Sequence, residues 1–164
     1  MREDLDHFFM KVAFLYATRS TCLRRQVGSV IVKNKAQISA GYNGALSGET
    51  HCIDNPSQCI RSRLNIPSGE RNELCLSLHS EENSIAHAAR NGISLEGATM
   101  YVTCKPCISC TKMIISSGIS RLVYCGEYGT KADEEVTARL IKKLDVTILP
   151  LDDFKDFTDF INKR

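Results

Sequence analysis

"ATMYVTCKPCISCTKMIISSGISRLVYC", residues 98 to 125, reads as a strand, a helix and a second strand in succession. "ATMYVT" and "SRLVYC" are short β-branched and aromatic runs, and "CISCTKMIISSG" between them is helical, with Pro106 at its start and Gly118 past its end. Outward from this stretch the alternation continues. "SEENSIAHAARNG" (80 to 92) is helical up to a Gly92 C-cap, and "DEEVTARLIKKL", "VTILP" and "DDFKDFTDFINK" give a helix, a strand and a final helix. Towards the N-terminus, Leu5, Phe8, Phe9, Val12 and Tyr16 recur at helical spacing within residues 4 to 20, and "QVGSVIVKN" and "QISAGYNG" form a hairpin about "KNKA". The pattern predicts an α/β fold of three α/β/α layers, with a mixed five-stranded sheet in the order 2-1-3-4-5, mixed because its first pair is a hairpin.

A chain of 164 residues fits one domain, 1 to 164, and a domain of that size buries roughly 70% of its unfolded surface without crosslinks. Residues 45 to 78 hold no clean period and form an insertion carrying His51, Cys52, Cys59 and Cys75. A structureless loop of that length is uncommon, so something is expected to organise it. The eight cysteines suit either a secreted disulfide framework or an intracellular metal protein. "MREDLDHFFM" offers no apolar signal region and no run approaches a membrane span, which predicts a reducing, cytoplasmic setting and metal binding for the clustered thiols. A net charge of +2, from 21 basic and 19 acidic residues, gives little support to nucleic-acid binding. Positive charge is local instead: Arg19, Arg24 and Arg25 form one cluster and Arg61, Arg63 and Arg71 another, each able to hold a small phosphate or to be ordinary solvated surface.

Cys104, Cys107 and Cys110 are spaced three apart, and Pro106 divides them. With Pro106 at the first helical position, Cys107 and Cys110 fall on one face of the first turns, where the helix terminus favours thiolates. Cys104 belongs to the strand end and is expected to pack beside the pocket. His79 precedes the preceding helix, and the two helices can start at the same sheet edge. His79, Cys107 and Cys110 would then hold a zinc ion and leave its fourth position to water, with Glu81 beside it. H-x-E followed by P-C-x-x-C is the known signature of the zinc deaminases, matched here as a pattern. Zinc makes hydroxide available near neutral pH, and Glu81, which is not a ligand, would carry the proton. The alternative is a closed zinc knot with Cys104 as fourth ligand and Glu81 on the helix surface.

The chain resembles the cytidine deaminase-like superfamily and, within it, the deoxycytidylate (dCMP) deaminases, on "RSTCLRRQVGSVIV", "GYNGALSG", "HSEENSIAHAARNG" and "GATMYVTCKPCISCTKMIISSGISRLVY". The resemblance implies conversion of dCMP to dUMP by a homohexamer that uses small nucleotides and no nucleic acid or membrane partner. It also implies dCTP as activator, dTTP as inhibitor, and Mg2+ accompanying the triphosphate effector. Carried onto this sequence, it implies Asn43 at the sugar hydroxyl, Tyr128 near the nucleotide and Arg24 at the 5'-phosphate. Gly44 to Gly48 become the effector loop. Locally, Gly41 and Gly44 flank Asn43 and would let backbone approach a ligand, while a turn asparagine bonding its own backbone is the plainer reading. "EYGT" departs from the family form at Tyr128, and Ser80 stands where alanine is usual. The rival readings are a tRNA adenosine or other polynucleotide deaminase, and a non-catalytic zinc-stabilised nucleotide-binding module. Only 7% aromatic residues and the near-neutral charge speak against the first, and Glu81 against the second.

Cys22, Cys52, Cys59 and Cys75 are expected to hold a second, structural zinc that staples the insertion. His51 competes for one place, and buried reduced cysteines without metal are the other reading. His7 and His87 need no special role, and Cys125 reads as a small core residue.

Overall fold

The computed structural model describes residues 2 to 162. Strands β1 (Gly28–Lys33), β2 (Ala36–Tyr42), β3 (Thr99–Val102), β4 (Arg121–Tyr124) and β5 (Asp145–Ile148) form one sheet in the order β2-β1-β3-β4-β5. This is the order that the alternation predicts. Strand β1 runs antiparallel to both neighbours, whereas β3, β4 and β5 are parallel, so two junctions make the sheet mixed and not the hairpin alone. Asn34 and Lys35 close the hairpin with φ of 52° and 63°, the two left-handed residues of a tight turn that matches strand twist.

The helices are α1 (Leu5–Ala17), α2 (Ile60–Arg63), α3 (Ser80–Arg90), α4 (Ile108–Ser116), α5 (Lys131–Ile141) and α6 (Lys155–Ile161). Strand alternation divides the core between the two sheet faces. Val30, Val32, Tyr101 and Val123 meet Phe9, Met10 and Ala13 of α1, while Ile31, Met100, Val102 and Leu122 meet Ala88 of α3 and Ile114 of α4. Each such buried aliphatic side chain contributes about 1.5–3 kcal/mol. Two glycines let the layers touch at backbone distance. A Cβ on Gly28 would lie 2.0 Å from the Ala13 carbonyl oxygen of α1, and one on Gly41 would lie 2.5 Å from the Ser80 carbonyl oxygen of α3.

The insertion is organised by its own backbone. Gly44–Ala45 pairs antiparallel with Ser77–Leu78 and closes its base, and 3-10 turns at Pro56–Gln58 and Asn72–Leu74 flank α2. Two local expectations need correction. Pro106 lies outside α4, whose N-cap is Cys107. The final segment opens as a 3-10 turn, Leu151–Phe154, because Phe154 is driven into the core before α6 begins.

Candidate active site

Helices α3 and α4 present their N-termini to each other. His79 is the N-cap of α3, and Cys107 is the N-cap of α4. The His79 Nδ1 atom lies 3.6 Å from Cys107 Sγ and 3.4 Å from Cys110 Sγ. A tetrahedral zinc with bonds of about 2.3 Å to sulfur and about 2.0 Å to nitrogen sets such separations near about 3.5 Å, so this donor set fits that ion. Glu82 accepts from the His79 backbone N–H at 2.7 Å and holds the histidine at the helix start.

The electrostatics of the three donors are mutual. Hydrogen bonding from Cys110, and from His79 against the opposing effect of burial, pulls the Cys107 pKa down to about 4. Burial disfavours the His79 cation, yet Cys107 and the Glu81 carboxylate overcome it and raise His79 to about 9. The neighbouring Cys107 sulfur and burial push Cys110 well above the ordinary thiol value. Such a set can exchange its protons for a divalent cation. Cys104 lies outside this group, among the buried apolar side chains, where burial pushes its thiol up to about 12.

Glu81 is buried, and desolvation raises its pKa. Its Oε2 accepts from the fully buried Ser80 hydroxyl at 2.9 Å. The turn that carries both residues is pinned to the sheet: Ser29 donates to the Ser80 carbonyl at 2.8 Å, Ser39 to the Ser84 carbonyl at 2.7 Å, and Asn83 to the Tyr42 carbonyl at 2.8 Å. Gly41 therefore serves the approach of α3, and the space beside Gly44 belongs to Thr21, so neither glycine opens a path for a ligand.

A cavity opens beside Glu81 and His79. Asn43, Arg24 and Tyr128 all line it. Asn43 is internally engaged, its Oδ1 accepting from the Val27 N–H at 2.8 Å and its Nδ2 donating to the Arg25 carbonyl at 2.7 Å. That leaves one N–H and one lone pair for anything else. Tyr128 stands edge-on to His79, ring centroids 6.5 Å apart, with the Arg25 guanidinium 4.6 Å from its own ring centroid. Gly44 and Gly48 do not line the cavity. Gly48, at φ 90°, is an exposed turn. Arg61, which composition offers only as part of a basic cluster, is 7% exposed and lines the same wall. Its position between Cys59 and Pro67 is the one sequence signal that could have singled it out.

Cys22, Cys59 and Cys75 gather around Cys52, but their donor atoms do not lie at mutual metal-ligand distances. Among the described residues, only His79, Cys107 and Cys110 bring three donor atoms within 4.8 Å of one another. Two of these thiols engage their own turns: Cys22 Sγ accepts from the Arg24 N–H at 3.4 Å, and Cys59 Sγ from the Ser62 hydroxyl at 3.0 Å. Burial, then the neighbouring Cys59, Cys22 and Cys75 thiols, push the Cys52 pKa up, and His51 Nδ1 is buried without a partner.

A family model described as the cytidine and deoxycytidylate deaminase zinc-binding region matches residues 3 to 126. The deoxycytidylate deaminase of Saccharomyces cerevisiae is 36% identical over 148 residues, 90% of this chain and 45% of that protein. This chain thus spans less than half the length of the yeast relative. The deoxycytidylate deaminase of Enterobacteria phage T4 is 37% identical over 148 residues, 73% of this chain and 76% of its own. Among solved structures, the dCMP deaminase of the cyanophage S-TIM5 in complex with dCMP and dUMP superposes with a TM-score of 0.70 at 27% identity, covering 91% of this chain and 99% of that one.

Proposed function

The chain belongs to the cytidine and deoxycytidylate deaminase family, and from that premise we propose that it hydrolyses dCMP to dUMP and ammonia. One observation carries the reading: a His79, Cys107 and Cys110 donor set of zinc dimensions presents His79 and Cys107 to the cavity that the buried Glu81 lines. Zinc held there would supply Lewis-acid activation of water at neutral pH. Glu81 takes the proton that water gives up, passes it to the ring nitrogen and later delivers one to the leaving ammonia. Its raised pKa suits both directions of transfer. The Ser80 hydroxyl steadies one carboxylate oxygen and leaves Oε1 to the reaction. Asn43, through its spare N–H and lone pair, binds the sugar hydroxyl, Tyr128 packs against the nucleotide, and Arg24 meets the 5'-phosphate.

Activation by dCTP with Mg2+, inhibition by dTTP through the Gly44 to Gly48 loop, a homohexamer and a cytoplasmic setting complete the proposal on the family resemblance. No helix among the described residues is long and apolar enough to cross a membrane. A second zinc would draw Cys22, Cys52, Cys59 and Cys75 inward from their turns, with His51 available in place of one of them. Ammonia release from dCMP, CMP, dCTP and an RNA hairpin in one assay tests the substrate: dCMP is expected to be turned over fastest, and activity on the hairpin alone would overturn the reading.

A further inference from the structure

Arg24 and Arg61 approach the cavity from different segments of the chain and end on consecutive carbonyls of the insertion. Arg24 Nη2 donates to the Ile66 carbonyl at 2.7 Å, and Arg61 Nη2 to the Pro67 carbonyl at 3.3 Å. The Ile66 N–H returns to the Arg61 carbonyl at 2.9 Å, which makes residues 61 to 67 a closed, self-bonded loop. Both guanidinium groups nevertheless keep a buried nitrogen without a partner, Nη1 of Arg24 and Nε of Arg61. Among the described residues no carboxylate pairs with either one, and Glu81 is the one acid on the cavity wall. The nearby Glu73 carboxylate feels Arg61 without pairing with it, and a buried guanidinium with open donors and no paired anion is costly, so two planar forks on one wall suit the oxygens of a phosphate.

We propose that Arg61 is the second prong of an anion clamp with Arg24, so that the insertion gives this site its selectivity for a 5'-mononucleotide over the nucleoside. This deepens the deaminase reading and rests on it for the identity of the nucleotide. The clamp itself requires only a phosphate. Lys105, whose ammonium lies 3.5 Å from Glu127, and Arg25, stacked on Tyr128, are already engaged and leave this role to the other two.

The test is calorimetric binding of dUMP, deoxyuridine and inorganic phosphate to the zinc-loaded wild type and to Arg61→Met, Arg61→Gln and Arg63→Met. Arg63, exposed on the same helix and away from the cavity, is the control. Loss of a charge-assisted pair predicts that Arg61→Met weakens dUMP about 30-fold, abolishes competition by inorganic phosphate, and leaves deoxyuridine unchanged, while Arg63→Met matches the wild type. Where Arg61→Met disturbs the loop, Arg61→Gln, which keeps a donor for the Pro67 carbonyl, decides the matter with the same expected loss. Wild-type dUMP affinity in Arg61→Gln, or equal weakening of dUMP and deoxyuridine, would overturn the clamp. A wild type that binds phosphate through Arg61 but releases no ammonia from dCMP would defeat the deaminase reading alone. Turnover of dCMP by Arg61→Gln at an unchanged KM would defeat this inference alone.

Discussion

Cys107 and Cys110 stand at the start of α4 opposite His79 at the start of α3, whereas Cys22, Cys52, Cys59 and Cys75 hang from turns around the insertion. Both regions supply thiols to a small volume, but only the first arrives with its donors at metal distances. The difference lies in what holds each backbone. The first turn of α3 is bonded to β1 and β2 through Ser29, Ser39 and Asn83, and Gly41 lets it press directly on the sheet. The insertion is fixed mainly at its two-residue base. A metal centre is preassembled where regular structure dictates side-chain direction, and elsewhere its ligands settle into local hydrogen bonds first.

The largest effect that could break this contrast comes from the preassembled side. Cys110→Ser should remove the catalytic metal and lower turnover by about a thousandfold or more, measured by metal analysis and ammonia release. Retention of both would mean that the donor set is not the metal's. On the other side, Cys52→Ser should lower zinc from two equivalents per chain to one and leave the catalytic equivalent in place. A single equivalent in wild type purified without chelators would remove the second zinc from the account.

Asn43 lines the cavity that both regions border, and its loss should be felt as stability as well as binding. Asn43→Ala leaves the Val27 N–H and the Arg25 carbonyl without their partner, which should cost about 2 kcal/mol in urea denaturation. A variant as stable as wild type would reduce Asn43 to a ligand contact.

The sheet order was readable because each strand and helix carried its own period, and Gly92 and Gly118 do take the left-handed φ, 64° and 85°, that their places past helix ends demand. The ligand trio was readable for a related reason: His79, Cys107 and Cys110 lie where strand-helix alternation leaves little freedom. What the sequence could not convey was set by one competing local cap and otherwise by long-range packing. Pro106 reads as a first helical residue, yet Cys107 takes the cap with its own sulfur accepting the Cys110 N–H at 3.5 Å. Gly41 reads as room for a ligand and proves to be room for α3. Arg61 looks like any surface arginine until the loop to Pro67 folds over it.

The smallest effect concerns the far side of the preassembled region. Arg121 holds Asp6 with two hydrogen bonds of 2.8 and 2.7 Å, and this bonding, against partial burial, keeps the Asp6 carboxyl below its ordinary range. A depressed carboxyl stabilises the fold above its unfolded pKa of about 3.9, and that stability is lost as pH falls through the lower folded value. Asp6→Asn should therefore flatten the acid limb of the stability curve below about pH 4. An unchanged limb would show that other carboxyls set it.

In the proposed mechanism Glu81 moves protons beside a metal that it does not hold. Glu81→Gln should keep the zinc equivalent bound by His79, Cys107 and Cys110, and should reduce ammonia release from dCMP by at least about a hundredfold. Undiminished turnover with the zinc in place would mean that another group carries the proton.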